Sequence, residues 1–352
     1  MVQKKQGTIF AGMNTVSIKE VARLAGVSIA TVSRYINAPE KVSEKTREKV
    51  RTAIETTNYS PNTLAQSFRR GRTNMIMVVL PSVGDPFFEQ VLKGIRTAAQ
   101  AKGYSIVIEE TQRNTMTADQ IGAMLVSKQT DGILLLASLS PFGTDVLSAN
   151  SQRRLPIVIG CETVSPELAK FSGVHIDNVA AGIDATAYLI TKGHRRIGMI
   201  TGQVASLLTQ DRELGYRTAL KNAGIDCPDG WVVNGELSIG GARHAMRALL
   251  EHPQRPTAVF CATDEMAIGA LHEVKQAGMS VPSDISIMGF DDMRFAAVCD
   301  PPLTTIAQPA ETIGERAIYR LCHEIEAGET AVSEQEVLPH RLVVRESVAA
   351  PS

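Results

Sequence analysis

The stretch from Ser17 to Asn37, SIKEVARLAGVSIATVSRYIN, constrains this chain more than any other. It reads as two short helices around a tight turn. Ser17 is placed to cap the first helix, and Glu20, three residues on, completes a capping-box pattern. Ile18, Val21 and Ala22 set an apolar stripe on one face. At Ala25-Gly26-Val27 the stripe breaks, and a turn this tight calls for a left-handed residue, which glycine supplies without steric cost. Ser28 then caps a second helix, in which Val32 and Ile36 face inward at i, i+4 spacing. Ile29, Ala30, Thr31, Ser33 and Arg34 remain on its outer face, which ends at Asn37. Small and hydroxyl side chains with one Arg can approach a duplex without burying a carboxylate. The pair therefore reads as a helix-turn-helix with its second helix in the major groove. An ordinary helical hairpin has the same turn chemistry, so the surroundings have to decide.

Charge is what the surroundings add. The 352 residues carry a net charge of −1, but the two ends differ. Residues 1–72 hold 13 Lys and Arg against 5 Asp and Glu, and the rest holds 23 against 32. A basic front on an acidic body is the electrostatic footprint of nucleic-acid binding. The five cysteines (161, 227, 261, 299 and 322) show no C-x-x-C spacing and suit buried thiols better than a disulfide framework or zinc site. Apolar runs such as Ile133–Ala137 are too short to span a bilayer, and no signal-like segment opens the chain; the expectation is a cytoplasmic protein.

Residues 1–16 lack periodicity and read as a disordered tail. After the second helix, Asn37-Ala38-Pro39 forms a loop, and Ser43 caps a third helix through Thr56. Thr46, Val50 and Ile54 point inward there, with Lys45, Arg47, Lys49 and Arg51 on the remaining surface, either against phosphate or simply solvated. Tyr59-Ser60-Pro61-Asn62 leads into Thr63–Arg70. Two turns of helix are marginal alone, because nucleation costs more than so few hydrogen bonds return, so this segment folds only when docked.

From Asn74 strands and helices alternate. Strands are expected at 75–80, 104–108, 132–137, 157–160, 197–201, 231–233, 258–261 and 285–289. Helices are expected at 86–102, 117–129, 144–152, 179–192, 211–223, 239–251 and 264–277. Such alternation implies parallel sheets flanked by helices. An internal echo, Gly94-Ile-Arg-Thr-Ala and Gly215-Tyr-Arg-Thr-Ala, each reaching a glycine nine residues on, fits two similar lobes.

Ligands in open α/β sheets bind beyond the carboxyl ends of strands. The candidates there are Phe87 and Phe88 in Asp85-Pro86-Phe87-Phe88, with Phe87 facing a cleft and Phe88 partly core; Arg212, or else a surface Arg paired with Asp211 or Glu213; Thr263, followed by Asp264 as a helix cap; Asp177, as a cleft residue or a hinge; and Asp291 in Phe290-Asp291-Asp292. Enzyme signatures are missing: no G-x-x-x-x-G-K-[ST], H-E-x-x-H, G-x-S-x-G, or G-x-G-x-x-G behind a strand. Asp291-Asp292 alone is a weak metal or acid pair, and His272-Glu273 reads as surface. No catalytic residue, metal or cofactor is expected.

The pattern V-A-x-x-A-G-V-S-x-A-T-V-S-R-x-[IL]-N resembles the headpiece signature of the LacI/GalR family of ligand-gated repressors. DPFF (85–88), VHIDN (174–178) and CDPPLTTIAQP (299–309) resemble a cytidine-responsive branch of it. The resemblance implies a hinge helix that enters the minor groove beside its dimer mate. Leu64, Ala65, Phe68 and Arg69 contact DNA there, with Phe68 where relatives usually carry a wedging Leu; Phe68 packing on the core is the alternative. It implies DNA contacts at Ser17, Ser28, Ile29, Ala30, Thr31, Ser33, Arg34 and Asn37. For the effector it implies Arg212 as a two-bond donor, Asp291 accepting two adjacent hydroxyls as on a ribose, and Phe87, Phe88, Asp177, Leu237 and Thr263 nearby. Ser206, Leu207, Leu208, Leu237 and Ser238 differ from purine-binding relatives.

The expectation is therefore an α-helical helix-turn-helix headpiece (17–60), a hinge helix and linker (61–72), and a periplasmic-binding-protein-like α/β core (73–346) of two doubly wound parallel-sheet lobes. The lobes take 74–175 with 306–336 and 177–304 with 338–346, with crossovers near 176, 305 and 337. The expected partners are double-stranded operator DNA, a second copy of the chain, and a small-molecule effector. The effector is a nucleoside such as cytidine acting as inducer, or alternatively a sugar or purine corepressor. A second transcription factor stays open, a membrane is not expected, and a solute-binding protein is the rival class.

Overall fold

The computed structural model describes residues 17–59, 72–111, 123–124, 127, 129–136, 156–162, 171–203 and 206–351. The expected tail (1–16), the hinge segment with Leu64, Ala65, Phe68 and Arg69, most of the expected helix at 117–129 and the expected helix at 144–152 lie outside the described residues. The chain divides into two compact units between Arg72 and Thr73.

The first unit is helical: α1 (Ile18–Ala25), α2 (Ile29–Asn37), a 3-10 turn (Pro39–Lys41) and α3 (Glu44–Thr57). Val21, Ala22, Ala25, Val32, Val50 and Ala53 form its core, with Ile18, Ile36 and Ile54 packed against it. Gly26 takes φ +64°, and its N–H reaches back to the carbonyls of Ala22 and Arg23, closing α1. Ser28 caps α2, its Oγ accepting from the Thr31 N–H at 3.1 Å. The expected capping box at α1 does not form. Ser17 makes no side-chain cap, and Glu20 turns to Arg23, which donates at 2.5 and 2.9 Å. A guanidinium one turn along offers two charge-assisted bonds, more than one backbone N–H can give. Ser43 likewise shares a bond with Thr46 Oγ1 (2.9 Å) instead of capping the α3 backbone.

The second unit holds two six-stranded sheets. The first comprises β1 (Met75–Leu80), β2 (Ser105–Glu110), β3 (Gly132–Leu135), β4 (Ile157–Gly160), β5 (Ser172–Ile176) and β11 (Gln335–Leu338), in the order β11-β5-β4-β3-β1-β2, parallel throughout. The second comprises β6 (Ile197–Thr201), β7 (Val232–Asn234), β8 (Ala258–Cys261), β9 (Ser286–Asp291), β10 (Thr304–Ala307) and β12 (Arg341–Val343), in the order β12-β10-β9-β8-β6-β7. Its edge pair β10–β12 is antiparallel, a departure from the expected parallel lobe. Among the described residues the α-helices of stated extent are α4 (Pro86–Ala101), α5 (Asn178–Thr191), α6 (Leu207–Asn222), α7 (Ile239–Glu251), α8 (Asp264–Gln276) and α9 (Ala310–Ala327). The central strands are fully buried apolar runs, as two helix-covered faces require.

Three connections cross between the lobes: after β5, after β10, and between β11 and β12. The second crossing falls just after Ala307, where the pairing of β10 with β9 ends. The second lobe also runs past 346: Ser347 Oγ accepts from the Thr304 N–H (2.8 Å) and donates to the Ile287 carbonyl (2.6 Å), and the Ala349 carbonyl accepts from His194 Nε2 (2.9 Å). α6 starts at Leu207, four residues before the sequence expectation, because Thr209 Oγ1 donates to the carbonyls of Gln203 and Ser206 and ties the first turn to the loop.

The internal echo marks one packing device used twice. A Cβ on Gly94 (α4) would lie 1.9 Å from the Glu311 carbonyl oxygen of α9, and one on Gly314 (α9) would lie 2.2 Å from that of Val91. In the second lobe Gly215 (α6) meets the Val179 carbonyl of α5 at 2.3 Å, and Gly182 (α5) meets that of Arg212 at 2.5 Å. Each lobe thus has a helix pair crossing backbone to backbone on facing glycines.

Candidate functional site

In the first unit, α2 presents the surface. Ile29 is 44% exposed, Ala30 and Arg34 are exposed, and Thr31 and Ser33 are half-buried. Arg23, Arg47 and Arg51 are each paired with a glutamate three residues back. Arg34 has no ion pair among the described residues, so its guanidinium projects uncommitted from α2. The hydroxyls of Ser28 and Thr31 are bonded to each other (2.9 Å), and Asn37 Nδ2 donates to the Ser33 carbonyl (2.7 Å). Ser17 is exposed before α1.

In the second unit, a cavity of about 250 Å³ lies between the carboxyl ends of the two sheets. Residues that follow strands line it: Pro81 after β1, Thr111 after β2, Cys161 and Glu162 after β4, Gln203 after β6, Leu237 after β7, Thr263 after β8, Asp291 ending β9 and Gln308 after β10. Of the seven expected ligand residues, the fold gathers Phe87, Phe88, Arg212, Leu237, Thr263 and Asp291 here.

Arg212 lies 2% exposed at the floor. Its Nε donates to Asn178 Oδ1 (2.9 Å), its Nη1 donates to the Ala262 carbonyl (2.5 Å), and its guanidinium stacks on the Phe290 ring at 3.6 Å. Its ionic partner is Asp291, 3.6 Å away, and neither Asp211 nor Glu213. Nη2 has no hydrogen-bond partner among the described residues and is left for the cavity. Asp291 accepts from Gln308 Nε2 (2.7 Å) and takes φ +109°, a strained conformation for a side-chain-bearing residue. Burial pushes its carboxyl up to about 7, against the pull of Arg212. Gln308 Oε1 is buried with no hydrogen-bond partner among the described residues.

Phe87 and Phe88 are both nearly buried, with rings edge to face at 5.3 Å. Both rings line the cavity and both belong to the buried core, so they do not divide into a cleft-facing Phe87 and a partly core Phe88; Asp85 caps α4 through the Phe87 N–H (2.8 Å). Asp177 is exposed and caps α5 through the Ala180 N–H (2.9 Å), so it does not line the cavity; the adjacent Asn178 reaches Arg212 instead. Thr263, not Asp264, caps α8. Asp264 is wholly buried and ties the lobe together, accepting from Thr305 Oγ1 (2.6 Å) and the Met293 N–H (2.8 Å). Asp292 turns away to Arg345 (2.6 Å) and Arg341 (3.3 Å), leaving no acid pair with Asp291. Glu273 is buried between Arg243 and Arg247 rather than on the surface.

Sequence reasoning missed Asp85, Cys161, Glu162, Gln203, Glu236, Glu265, Met293 and Gln308 as lining residues. The strand-end rule could have flagged Cys161-Glu162. Gln308 follows a strand that the alternation did not reveal. Burial raises the Asp85 carboxyl, and burial together with the Asp85 charge raises that of Glu265. Among the described residues no group of three or more His, Cys, Asp or Glu is placed to hold a metal, and no helix is long and apolar enough to cross a membrane.

Residues 17–62 match the profile of bacterial regulatory proteins of the lacI family, and residues 186–348 match a periplasmic binding protein-like domain. The HTH-type transcriptional repressor CytR of Escherichia coli (strain K12) is 38% identical over 350 residues, 99% of each chain. The ribose operon repressor of the same strain is 39% identical over 313 residues, 88% of this chain and 93% of that one. Among solved structures, the lac repressor dimer bound to operator and the anti-inducer ONPF superposes with a TM-score of 0.83 at 27% identity, covering 96% of this chain and all of that one. Two repressors this similar over nearly the whole length, joined to the exposed face of α2 and the enclosed cavity, mean that the chain belongs to the lacI family of bacterial regulatory proteins and is a ligand-gated, DNA-binding transcriptional repressor, not an enzyme.

Proposed function

We propose that the effector is an uncharged, pentose-bearing molecule, a nucleoside such as cytidine, and that it acts as inducer. The observation that carries this is the Arg212–Asp291–Gln308 cluster beside two edge-to-face phenylalanines. Asp291 accepts vicinal hydroxyls, Arg212 Nη2 donates to a ring or hydroxyl oxygen, and Gln308 Oε1 takes a further donor. Phe87 and Phe88 offer apolar surface to a planar base. Asp85, Glu162, Glu236, Glu265 and Asp291 also line the cavity against one arginine, which disfavours a phosphate and so a nucleotide. The resemblance to a cytidine-responsive branch supports the same reading. Leu237 and Leu208 at the wall argue against a purine. A free pentose is the second reading, favoured by the 39% identity to a ribose operon repressor.

On the DNA side, a homodimer in the cytoplasm reads a near-palindromic operator through two first units. Arg34 contacts a base or phosphate. Ile29 and Ala30 pack on thymine methyls, and Ser17, Ser28, Thr31, Ser33 and Asn37 hold the backbone. Leu64, Ala65, Phe68 and Arg69 enter the minor groove as a hinge helix. The effector acts through its different affinity for two lobe arrangements, melting that marginal helix. A second transcription factor beside the dimer is a further proposed partner.

Titration calorimetry with cytidine, uridine, cytidine monophosphate, ribose and glucose, paired with operator footprinting, tests the reading. Cytidine should bind and release the footprint, and the monophosphate should not bind. Ribose binding without cytidine selects the second reading, and glucose binding alone overturns both.

A further inference from the structure

Next to the cavity, but outside its lining, one exposed ion pair joins the two lobes. Arg294 follows β9, three residues past Asp291 and directly after the lining residue Met293. Its Nη1 meets Glu89 Oε2 at 2.7 Å and Oε1 at 3.0 Å. Glu89 sits in the first turn of α4, directly after the lining pair Phe87 and Phe88. Arg294 also lies over the Phe295 ring at 4.8 Å, which limits the orientations of its guanidinium. Behind this pair the electrostatics run the other way. Asp85 of the first lobe faces Glu265 and Asp291 of the second, and the Asp85 charge contributes to raising both of their carboxyls. Three chain crossings link the lobes among the described residues, and separating the lobes relieves that repulsion and breaks the Arg294–Glu89 pair.

We propose that Arg294 and Glu89 form a latch that holds the lobes closed over the effector, making both positioning residues for effector affinity although neither lines the cavity. The latch counts only in the closed arrangement, so it works through the difference between closed and open states. Both side chains are more than half exposed, so the contribution is modest and screened by salt. Removing either charge should weaken effector binding about two- to five-fold at 50 mM salt, the scale of an exposed pair. In wild type that advantage should shrink as salt rises, whereas in the single variants affinity should be nearly flat.

The test compares wild type, Glu89→Gln, Arg294→Gln and the reversed pair Glu89→Arg/Arg294→Glu in the full chain. Hydrogen–deuterium exchange of peptides covering 81–89 and 291–296, with no ligand present, reads lobe opening directly. Cytidine and ribose titrations read affinity. Both single variants should exchange faster and bind whichever probe wild type binds more weakly, and the reversed pair should recover both. Wild-type exchange and wild-type affinity in the single variants, or no recovery in a folded reversed pair, overturns the latch. The affinity arm rests on the effector reading above. If wild type binds neither probe, that reading fails, and the exchange data still decide the latch.

Discussion

At the scale of single residues, Asp291 carries the most consequence. Its carboxyl is raised to about 7 because burial disfavours the charge more than Arg212 restores it. A carboxyl that holds its proton more tightly folded than unfolded lends stability that is complete below the ordinary carboxylate range and is lost as pH rises through about 7. The ligand-free protein should therefore melt at a lower temperature at pH 8 than at pH 6. Hydroxyl donors favour the ionised form, so an effector that places them on Asp291 should raise the melting temperature more at pH 8 than at pH 6. Equal increments at both pH values would show that the effector does not engage this carboxylate. Arg34 gives a second residue-level test. Its guanidinium has no ion pair among the described residues, so Arg34→Ala leaves no orphan behind there and should fold normally. Operator affinity should fall by about 1–3 kcal/mol, the worth of a good base contact, read by fluorescence anisotropy, with effector affinity unchanged.

Among elements, the two glycine crossings set the geometry of each lobe. Gly94→Ala forces a methyl to within 1.9 Å of a backbone oxygen that cannot rotate away. The helices must part, at a cost of about 1–3 kcal/mol, and Gly215→Ala should behave alike. Gly240 in α7 is the control: a Cβ there meets nothing within 4 Å, and its φ is not positive. Gly240→Ala should be neutral or stabilise by up to about 1 kcal/mol through helix propensity. Thermal melts of the three variants check the contrast, and equal effects at Gly94 and Gly240 would refute close helix contact as the reason for the echo. That echo was visible in the sequence as a repeated pentapeptide, but its meaning was not. Only the pairing of α4 with α9, and of α6 with α5, shows that the glycines are contact points.

For the whole molecule, the basic front and acidic body make one further prediction. If the first unit grips operator through six to ten phosphate contacts, affinity should fall by roughly 10³–10⁵ between 50 and 200 mM salt. A flat salt response would contradict phosphate-driven binding. The cavity is the acidic counterpart: five Asp and Glu residues line it, in keeping with the unphosphorylated effector proposed above.

Local sequence was enough for the helix-turn-helix, because caps, a left-handed glycine and i, i+4 spacing are short-range constraints. It was enough, too, for most strands before residue 290, since fully buried strands are unbroken apolar runs bounded by turns. The same logic flagged Asp291, which ends β9, whereas Arg212 lies in the second turn of α6 and was picked out through the family resemblance. What it could not supply is everything that depends on which strand neighbours which. β10, α9, β11 and β12 weave between the lobes, and these partly polar segments, the strands of which are short, acquire meaning only from partners more than a hundred residues away in β5 and α4, or from β9 and β10. The sharing of Phe87 and Phe88 between cavity and core, the exchange of Asp177 for Asn178 behind Arg212, the open acceptor on Gln308 and the elevated Asp291 carboxyl are all products of burial. Burial is a property of the assembled lobes, where desolvation and neighbouring charge act together, and no window of sequence contains it.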